Sequence, residues 1–532
     1  MPRPDKKESV VFDLVEDNGP ADAADGGPDA AGTEPSLLSR LPRPSRRTWV
    51  IAAAVVAAVA VTLVSVDLVR DHRRAELMRT SSVGVASLAD PPEPTWTVPF
   101  DVPTGRASDA HLGQQLVVMD GLLVLPPTST PGYPADSATG VFEAPPRFTG
   151  VVAVDPGSGE VAWRIPVDEN PECGPSGYDA SISTEVLVCV HGPDVDRQVL
   201  TITPDGTTRS RPLDLVEGER VFPGPDGMVV RTVRTGDPIG YLACDEAGNC
   251  PPRILDEGRS LRVAAEDAGT GAERWTSVIE FDPTISDSCQ TWPADIDSTP
   301  DEPTYDPDLT TVSVGAESVV VAGCGLAATL SVDGTRLDLA GDLLDPAQVW
   351  VTELGSGRFA VEGDAAQTVV VNADGKILRT VQGRMSSGPA APDAPDDLWF
   401  VTRTSGVGFA AVREDGSEAW TALQESRVAL AARDVVVVNR ENRLLGLDRA
   451  TGAKMWGWAD DDPRGLANFR TLTDGEAIAV QLLPQDGVGE GVLVAIDLGT
   501  GEELWEVPLT GAVVAVDGQL VEFTSDGVRG LG

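Results

Sequence analysis

The 532-residue sequence predicts an all-β fold in the form of a single β-propeller, and three observations lead to this prediction. First, the segment VVAVDPGSGEVAWRIPV at 151–167 recurs in nearly the same form as LVAIDLGTGEELWEVPL at 493–509. Second, related segments of strand and turn recur at intervals of about 40 to 50 residues, a period that is typical of propeller blades. Third, the two ends of the repeat region complement each other, as a closed ring requires.

Each copy of the repeat consists of a strand, a tight turn and a return strand with an aromatic anchor. In the first copy an apolar run predicts a buried strand, and the turn begins at Asp155, whose carboxylate can accept hydrogen bonds from nearby amides. Gly159 supplies a positive φ without strain, and Trp163 follows four residues later on one face of the return strand. The positions that define the clear copies are Asp155, Gly159, Trp163, Asp267, Gly271, Trp275, Gly416, Trp420, Asp448, Gly452, Trp456, Asp497, Gly501 and Trp505.

The spacing of the turns predicts the number of blades. Weaker copies keep only the strand and the turn, and they end at Gly206, Gly334 and Gly375. The 437 residues from Trp96 to Gly532 suit eight blades of about 55 residues each. Seven blades are the alternative, because one weak turn could be a hairpin inside another blade.

The ends of the repeat region predict how the ring closes. TWTVPF at 95–100 resembles the return strands of other copies but has no strand and turn before it. The C-terminal VVAVDGQLVEFTSDGVRGLG at 513–532 has strand segments with no Trp strand after them. We therefore expect N- and C-terminal strands to share one blade.

The pattern of apolar strand, Asp, Thr-Gly and Trp over residues 95–532 resembles the repeat of the pyrroloquinoline quinone (PQQ)-type β-propeller superfamily, which has a quinoprotein dehydrogenase-like fold. The resemblance implies that the Trp docks between neighbouring blades and is structural. The functional motifs of the quinone dehydrogenases are missing, since the sequence has no two adjacent cysteines, no CxxCH haem motif and no matching calcium-binding constellation. We therefore predict no catalytic residue, no cofactor and no enzymatic activity.

The charge and the histidine content of the sequence limit which ligands and which catalytic chemistry are expected. With 40 basic and 83 acidic residues the net charge is −43, which disfavours nucleic acid and anionic lipid because both bind through Lys and Arg. Only three histidines are present, so an enzyme would depend on carboxylates, arginines or a bound cofactor.

An uncharged run, WVIAAAVVAAVAVTLVSV at 49–66, is long enough to cross a bilayer as a helix. Because about 48 residues precede it, we interpret it as an uncleaved signal anchor. The predicted organisation is a disordered cytoplasmic tail at 1–47, a transmembrane helix at 48–69, a juxtamembrane linker at 70–94 and the propeller at 95–532. This organisation predicts a single-pass protein of the cell membrane with an extracytoplasmic propeller.

Cysteines support that orientation, because all six follow the apolar run and an even number suggests disulfides in an oxidising compartment. Fifteen pairings are possible, and neighbours along the chain are the first candidates. These are Cys173 with Cys189, Cys244 with Cys250, and Cys289 with Cys324.

Two kinds of segment could carry function outside the repeat. One is an apolar island in the acidic tail, a candidate docking motif that consists of Val10, Val11, Phe12, Leu14 and Val15. The others are long insertions at 126–148, 235–260 and 282–310. The third insertion is acidic and offers a weak calcium site, for which the candidate ligands are Asp295, Asp297, Asp301 and Glu302.

These features lead to three hypotheses about function. The first is a membrane-anchored scaffold that binds a protein or cell-envelope ligand; the PQQ-type superfamily includes a bacterial outer-membrane assembly lipoprotein that offers strand edges and loops. The second is a sensor or adaptor that signals through the tail island. The third is a hydrolytic enzyme that uses paired carboxylates in its loops.

Overall fold

The computed structural model describes residues 73–532 with gaps. The gaps are 102–115, 128–133, 137–140, 143–147, 168–170, 176–181, 194–195, 238–253, 286–288, 292–303, 338–349, 356, 363–366, 387, 404–407, 423–426, 441–442, 459–463, 467–470, 485–490 and 525. The chain divides into two units, Met1–Asp67 and Leu68–Gly532, and all described residues belong to the second. The predicted tail, its island and the predicted transmembrane residues 48–69 therefore lie outside the described residues. Among the described residues, no helix combines the length and the apolarity that crossing a bilayer requires.

A short helix at 73–79 precedes an all-β region. The first strand is β1 (Pro94–Pro99), and it belongs to the last blade. Blade 1 contains β2 (Val117–Met119), β3 (Leu122–Leu125), β6 (Gly150–Val154) and β7 (Val161–Pro166), with the pair β4 (Pro134–Asp136) and β5 (Val141–Phe142) between β3 and β6. Blade 2 contains β8 (Glu172–Gly174), β10 (Leu187–His191), β11 (Gln198–Ile202) and β12 (Thr208–Pro212); β9 (Ile182–Ser183) pairs with β2.

Blade 3 contains β13 (Arg220–Pro223), β14 (Met228–Arg234), β16 (Leu261–Asp267) and β17 (Glu273–Ile279). The short strands β15 (Ile254–Leu255) and β18 (Thr284–Ile285) pair with each other, as do β19 (Gln290–Thr291) and β20 (Thr304–Tyr305). Blade 4 contains β21 (Thr310–Val314), β22 (Ser318–Gly323) and β23 (Leu326–Ser331). Blade 5 contains β24 (Trp350–Gly355), β25 (Arg358–Glu362), β26 (Gln367–Asn372) and β27 (Ile377–Gln382).

Blade 6 contains β28 (Arg384–Met385), β29 (Leu398–Thr402), β30 (Phe409–Arg413) and β31 (Glu418–Ala422). Blade 7 contains β32 (Arg427–Ala431), β33 (Val435–Arg440), β34 (Arg443–Asp448) and β35 (Lys454–Trp458). Blade 8 contains β36 (Arg464–Leu466), β37 (Leu472–Thr473), β38 (Ala477–Pro484), β39 (Gly491–Asp497) and β40 (Glu503–Leu509). Blade 9 contains β41 (Ala512–Val516), β42 (Gln519–Phe523), β43 (Gly527–Leu531) and β1.

The single propeller is confirmed, but the predicted number of blades is wrong, because the described strands form nine blades rather than eight or seven. Each turn glycine, from Gly159 to Gly501, lies in a blade of its own. None of the weak turns is a hairpin inside another blade. The closing blade has no turn glycine and is therefore the ninth blade. The average blade is shorter than the expected length of about 55 residues.

Terminal strands close the ring as predicted. β1 pairs antiparallel with β43, with Thr97 opposite Arg529. A buried apolar cluster joins each pair of neighbouring blades, including blade 8 with blade 9 and blade 9 with blade 1. In the closing clusters, Ala495 packs with Val513 on one side, and Val152 packs with Val521 on the other. The hydrophobic effect therefore acts around the whole ring.

The repeated Trp and Gly meet between neighbouring blades in an arrangement that we call the socket. Trp420 of blade 6 donates its Nε1–H to the carbonyl of Arg449 in the turn of blade 7, at 2.7 Å. Its ring lies over Gly452, where a Cβ atom would come within 2.5 Å of the ring and where φ is +70°. Any side chain at this position would therefore collide with the ring, which explains why the turn ends in glycine. Other tryptophans donate in the same way to the next turn: Trp96 to Pro156, Trp163 to Pro204, Trp275 to Val332 and Trp456 to Leu498.

The turn aspartate shapes the other side of the socket. Asp497 accepts hydrogen bonds from the backbone N–H of Gly499 and from the N–H and the hydroxyl of Thr500, all at 2.7–2.9 Å. Asp155, Asp267 and Asp448 each accept equivalent bonds from the third residue after them. The aspartate therefore holds the turn in the shape that presents the carbonyl to the Trp.

Residues 83–88, which we call the strap, complete the one socket that the closing blade cannot supply. Trp505 of blade 8 donates to the carbonyl of Leu88 at 2.7 Å. Val85 donates its N–H to Thr473, and Ala86 donates its N–H to Gly518, each at 2.8 Å. Val85 and Leu88 are fully buried in the cluster between blades 8 and 9. Residues 83–88 of the expected linker are thus packed into the propeller.

The strap generates a testable difference between two equivalent tryptophans. We predict that Trp505→Phe and Trp456→Phe each lower the free energy of unfolding by about 1–3 kcal/mol, because each removes a buried donor and part of a buried ring. Only Trp505→Phe should increase cleavage between residues 80 and 93 by a non-specific protease, since Trp456 bonds to blade 8. Mass spectrometry of the fragments measures this. Equal cleavage in the two variants would contradict the role of the strap.

Candidate functional site on the loop face

Strand direction gives the propeller two different faces. On one, which we call the turn face, lie the connections from the first strand to the second and the tight turns from the third strand to the fourth. On the other, which we call the loop face, lie the connections from the second strand to the third and from one blade to the next. All three long insertions found in the sequence begin and end at the loop face, because they join β3 to β6, β14 to β16 and β17 to β21.

Arg234, at the loop-face end of β14, holds two of these insertions together. Its guanidinium donates to the Thr310 hydroxyl at 2.9 Å and to the backbone carbonyls of Arg259, Leu309 and Cys324, at 2.6, 2.8 and 3.2 Å. Only 8% of the residue is exposed. Burial lowers the pKa of Arg234 to about 10, so the side chain remains charged at neutral pH. A buried cation thus satisfies carbonyls from three separate connections.

Arg259 and a disulfide reinforce this arrangement. Arg259 donates to the carboxylate of Asp308 at 2.7 Å and to the backbone carbonyl of Arg234 at 2.9 Å. The disulfide Cys289–Cys324 links the third insertion to the turn between β22 and β23. The bases of the second and third insertions are therefore held by one covalent and several charged contacts.

The other cysteine pairs have different positions. Cys173–Cys189 joins β8 to β10 across directly opposed positions in blade 2. Two of the predicted disulfides are thus present, while Cys244 and Cys250 lie outside the described residues. The calcium candidates Asp295, Asp297, Asp301 and Glu302 also lie outside them. Within the described part of the chain, no group of carboxylates, histidines or cysteines is arranged to hold a metal ion.

A cleft of about 270 Å³ lies on blade 3, beside the connection from blade 2, and near it two residues depart from the repeat. Arg211 of β12 takes the place of the Trp: its Nε donates to the carbonyl of Ala268, at 2.8 Å, in the turn of blade 3. It also pairs with Glu266, which is 8% exposed and stands where other copies have Val154, Leu447 or Ile496. An ion pair thus replaces an aromatic ring and its apolar neighbour.

The ion pair extends into a charge-balanced network. Arg231 donates to both oxygens of Glu219, at 2.8 and 2.7 Å, and contacts Glu266 at 3.4 Å. Burial would raise the pKa of Glu219, but the bonds from Arg231 hold it below its ordinary value. Two arginines and two glutamates compensate one another, which indicates a structural role for the charges that line the cleft.

A pair of carboxylates, the feature that a hydrolytic enzyme would need, occurs at the turn face. Glu353 accepts hydrogen bonds from the N–H of Glu317, at 3.1 Å, and from the hydroxyl of Ser318, at 2.8 Å. Burial raises the pKa of Glu317, and the charge of Glu353 adds to the increase. The carboxylate of Glu353 stabilises the turn between β21 and β22. The pair of glutamates lies on the face opposite the long insertions.

Most of the residues that the sequence predicts to be important lie outside the candidate site at the loop face. The repeat residues lie in the sockets between blades, whereas the loop face depends on Arg234 and Arg259, which the sequence analysis missed. Glu266 was detectable, since aligning the repeats shows a glutamate where other copies have an apolar residue. Arg211 was not, because the repeat places Trp four residues after its glycine, and that position after Gly206 is Ser210. No local pattern marks Arg234, because its acceptors come from distant connections.

Comparison with models of known protein families identifies the family of this chain. The model for the family described as outer membrane protein assembly factor BamB matches residues 259–529, which are 271 of the 532 residues. The chain therefore belongs to this family, and the resemblance to PQQ-type β-propellers is confirmed. Comparison with curated proteins gives no significant match.

Solved structures with low similarity include both an assembly factor and dehydrogenases. BamB from Moraxella catarrhalis is 16% identical, with 64% of this chain and 92% of that chain covered and a TM-score of 0.32. Quinohemoprotein alcohol dehydrogenase from Comamonas testosteroni is 12% identical, with coverage of 83% and 76% and a TM-score of 0.31. The quinohemoprotein alcohol dehydrogenase ADHIIG from Pseudomonas putida HK5 is 13% identical, with coverage of 81% and 71% and a TM-score of 0.30. No functional argument rests on similarities this low.

The network beside the cleft leads to a prediction about stability. Glu266→Val should lower the free energy of unfolding by about 2–4 kcal/mol, because Arg211 and Arg231 lose a largely buried counter-charge. Adding Arg211→Trp should recover most of the lost stability, since positions 211 and 266 then carry the tryptophan and the apolar residue that the sockets of other blades contain. Urea denaturation of the wild type and both variants measures the change. If the double variant is no more stable than Glu266→Val, the Arg211–Glu266 ion pair does not take the structural role that the Trp socket has in other blades.

Proposed function

We propose that the chain is a membrane-anchored, extracytoplasmic scaffold whose loop face binds a protein or cell-envelope ligand. The observation that carries the proposal is that all three long insertions begin and end on one face, with the bases of two held by Arg234, Arg259 and the Cys289–Cys324 disulfide. Loops on a rigid support are where binding sites commonly form. Membership of a family named for an assembly factor favours binding over catalysis.

Support for the proposed location comes from the disulfides. Disulfides form and persist in oxidising compartments, and two are present.

A second candidate function is the sensor or adaptor that communicates through the tail. The observation that favours it is the strap, because it joins the N-terminal side of the chain to the closing blades through Leu88 and Val85. In this alternative a cytoplasmic partner would bind the island at Val10 to Val15.

Photo-cross-linking in native membranes separates these proposals. A benzoylphenylalanine at Glu257, exposed on the second insertion, tests the loop face, and one at Ala450, exposed in a turn of blade 7, is the turn-face control. We predict adducts with a discrete partner from position 257 only, both in the full chain and in a version that lacks residues 1–47. Adducts that disappear with the tail would favour the adaptor. Adducts from position 450 alone would contradict a loop-face scaffold.

A further inference from the structure

The face that blade 4 turns toward blade 5 is largely polar. Toward blade 3, in contrast, blade 4 contributes the buried apolar residues Val314, Val319, Val321, Leu326, Ala328 and Leu330. Because side chains alternate along a strand, Ser318, Thr329 and Ser331 point to the opposite face, and all three are buried. In the apolar cluster at the seam between blades 4 and 5, Leu337 is the one residue from the blade 4 side that the structure describes. Within the described residues, the hydrophobic effect therefore stabilises this seam less than the seam with blade 3.

Two glutamates bridge the seam at the turn face, and each binds the turn of the other blade. Glu353 of β24 accepts hydrogen bonds from the backbone N–H of Glu317, at 3.1 Å, and from the hydroxyl of Ser318, at 2.8 Å, both in blade 4. The carboxylate of Glu317 accepts a hydrogen bond from the backbone N–H of Gly357, in the turn of blade 5. We call this reciprocal arrangement of Glu317 and Glu353 the clasp. The clasp joins the connections between first and second strands of the two blades.

The clasp contains a negative charge that its surroundings do not compensate. Atom Oε2 of Glu317 is buried and has no hydrogen-bond partner among the described residues. Burial raises the pKa of Glu317, and the negative charge of Glu353 raises it further. The other charged residues of the elements around Glu317 are Asp226, Asp333, Arg336 and Arg358. Arg358 pairs with Asp396, and neither arginine lowers the pKa of Glu317. Ionisation of Glu317 therefore places two like charges beside each other at a cost in stability.

We propose that the clasp is a pH-sensitive device that holds blades 4 and 5 together more tightly in acid than at neutral pH. A proton on Glu317 removes both the buried charge and the repulsion from Glu353. Because the pKa of Glu317 in the folded chain lies above its ordinary value of 4.5, this stabilisation is complete below pH 4.5 and is lost as the pH rises through the folded pKa. The third insertion leads into β21, so loosening of the seam would also move the base of that insertion.

The turn aspartates of the sockets respond to acid in the opposite direction. Hydrogen bonds from the N–H of Ser158 and from the hydroxyl of Thr270 lower the pKa values of Asp155 and Asp267. These turns lose stability only as the pH falls through pKa values below 3.8. A local measurement at about pH 5 therefore detects protonation of the clasp while these aspartates remain ionised.

Hydrogen–deuterium exchange with single-residue resolution tests the clasp on the full chain in detergent, at about pH 5 and about pH 7. The amides of Glu317 and Gly357 report on the clasp, because they donate to Glu353 and Glu317. The rates are corrected for the intrinsic pH dependence of exchange, and EDTA prevents divalent cations from neutralising the carboxylates. We expect both amides of the wild type to open at least about threefold less often at the lower pH.

Three variants show whether the response belongs to the clasp. Glu317→Gln is an uncharged isostere, so both amides should be as protected at pH 7 as they are in the wild type at pH 5. Glu353→Gln keeps an oxygen acceptor for Ser318 but removes the repelling charge, and it should also abolish the pH response. The control is Glu185→Gln, which removes an exposed charge from the corresponding connection of blade 2 and should leave the response unchanged. A wild type without the response, a response that persists in either clasp variant, or one that is lost in the control would overturn the proposal.

Discussion

The structure depends above all on one contact, the hydrogen bond from a tryptophan of one blade to a turn carbonyl of the next. The contact requires a ring, a glycine that leaves room for it, and an aspartate that shapes the turn, as Trp420 and Gly452 illustrate. Because donor and acceptor belong to different blades, every socket fixes one blade against its neighbour. Blade 9 has no turn between its third and fourth strands, β43 and β1, and the carbonyl of Leu88 takes the place of that turn. Where Trp is absent in blade 2, the guanidinium of Arg211 makes the equivalent bond.

This constraint also separates the two faces in function. The tight turns between third and fourth strands form the sockets, so long insertions in those turns would disturb the contacts between blades. The loop face carries no sockets and can accept insertions, which then need supports of their own. Arg234 and the Cys289–Cys324 disulfide supply such supports, and they connect segments that are distant in sequence. The proposed binding face is thus the face that the repeat leaves free to vary.

Much of the fold was predictable from local pattern, and much of the site was not. The turn around Asp155 and the Trp at position 163 predict strand, turn and return strand, since their chemistry is local. The complementary ends predict that β1 pairs with the C-terminal strands. The number of blades was wrong because average spacing cannot assign a turn such as that at Gly375 to a blade. The strap and the bonds of Arg234 were beyond prediction, because their partners lie far away in sequence and meet only in the closed ring.

Hydrogen–deuterium exchange of the full chain tests most directly whether the ring is closed by its N-terminal segment. Amides of Val85 and Ala86 donate to Thr473 and Gly518, and those of Glu93 and Gly532 bond to each other's carbonyls. Backbone hydrogen bonds that break only when the ring opens slow exchange to the rate of the most stable elements. Closure by the strap predicts that the amides of Val85, Ala86 and Glu93 exchange as slowly as those of β42. Exchange as fast as that of an exposed loop would contradict closure by the strap.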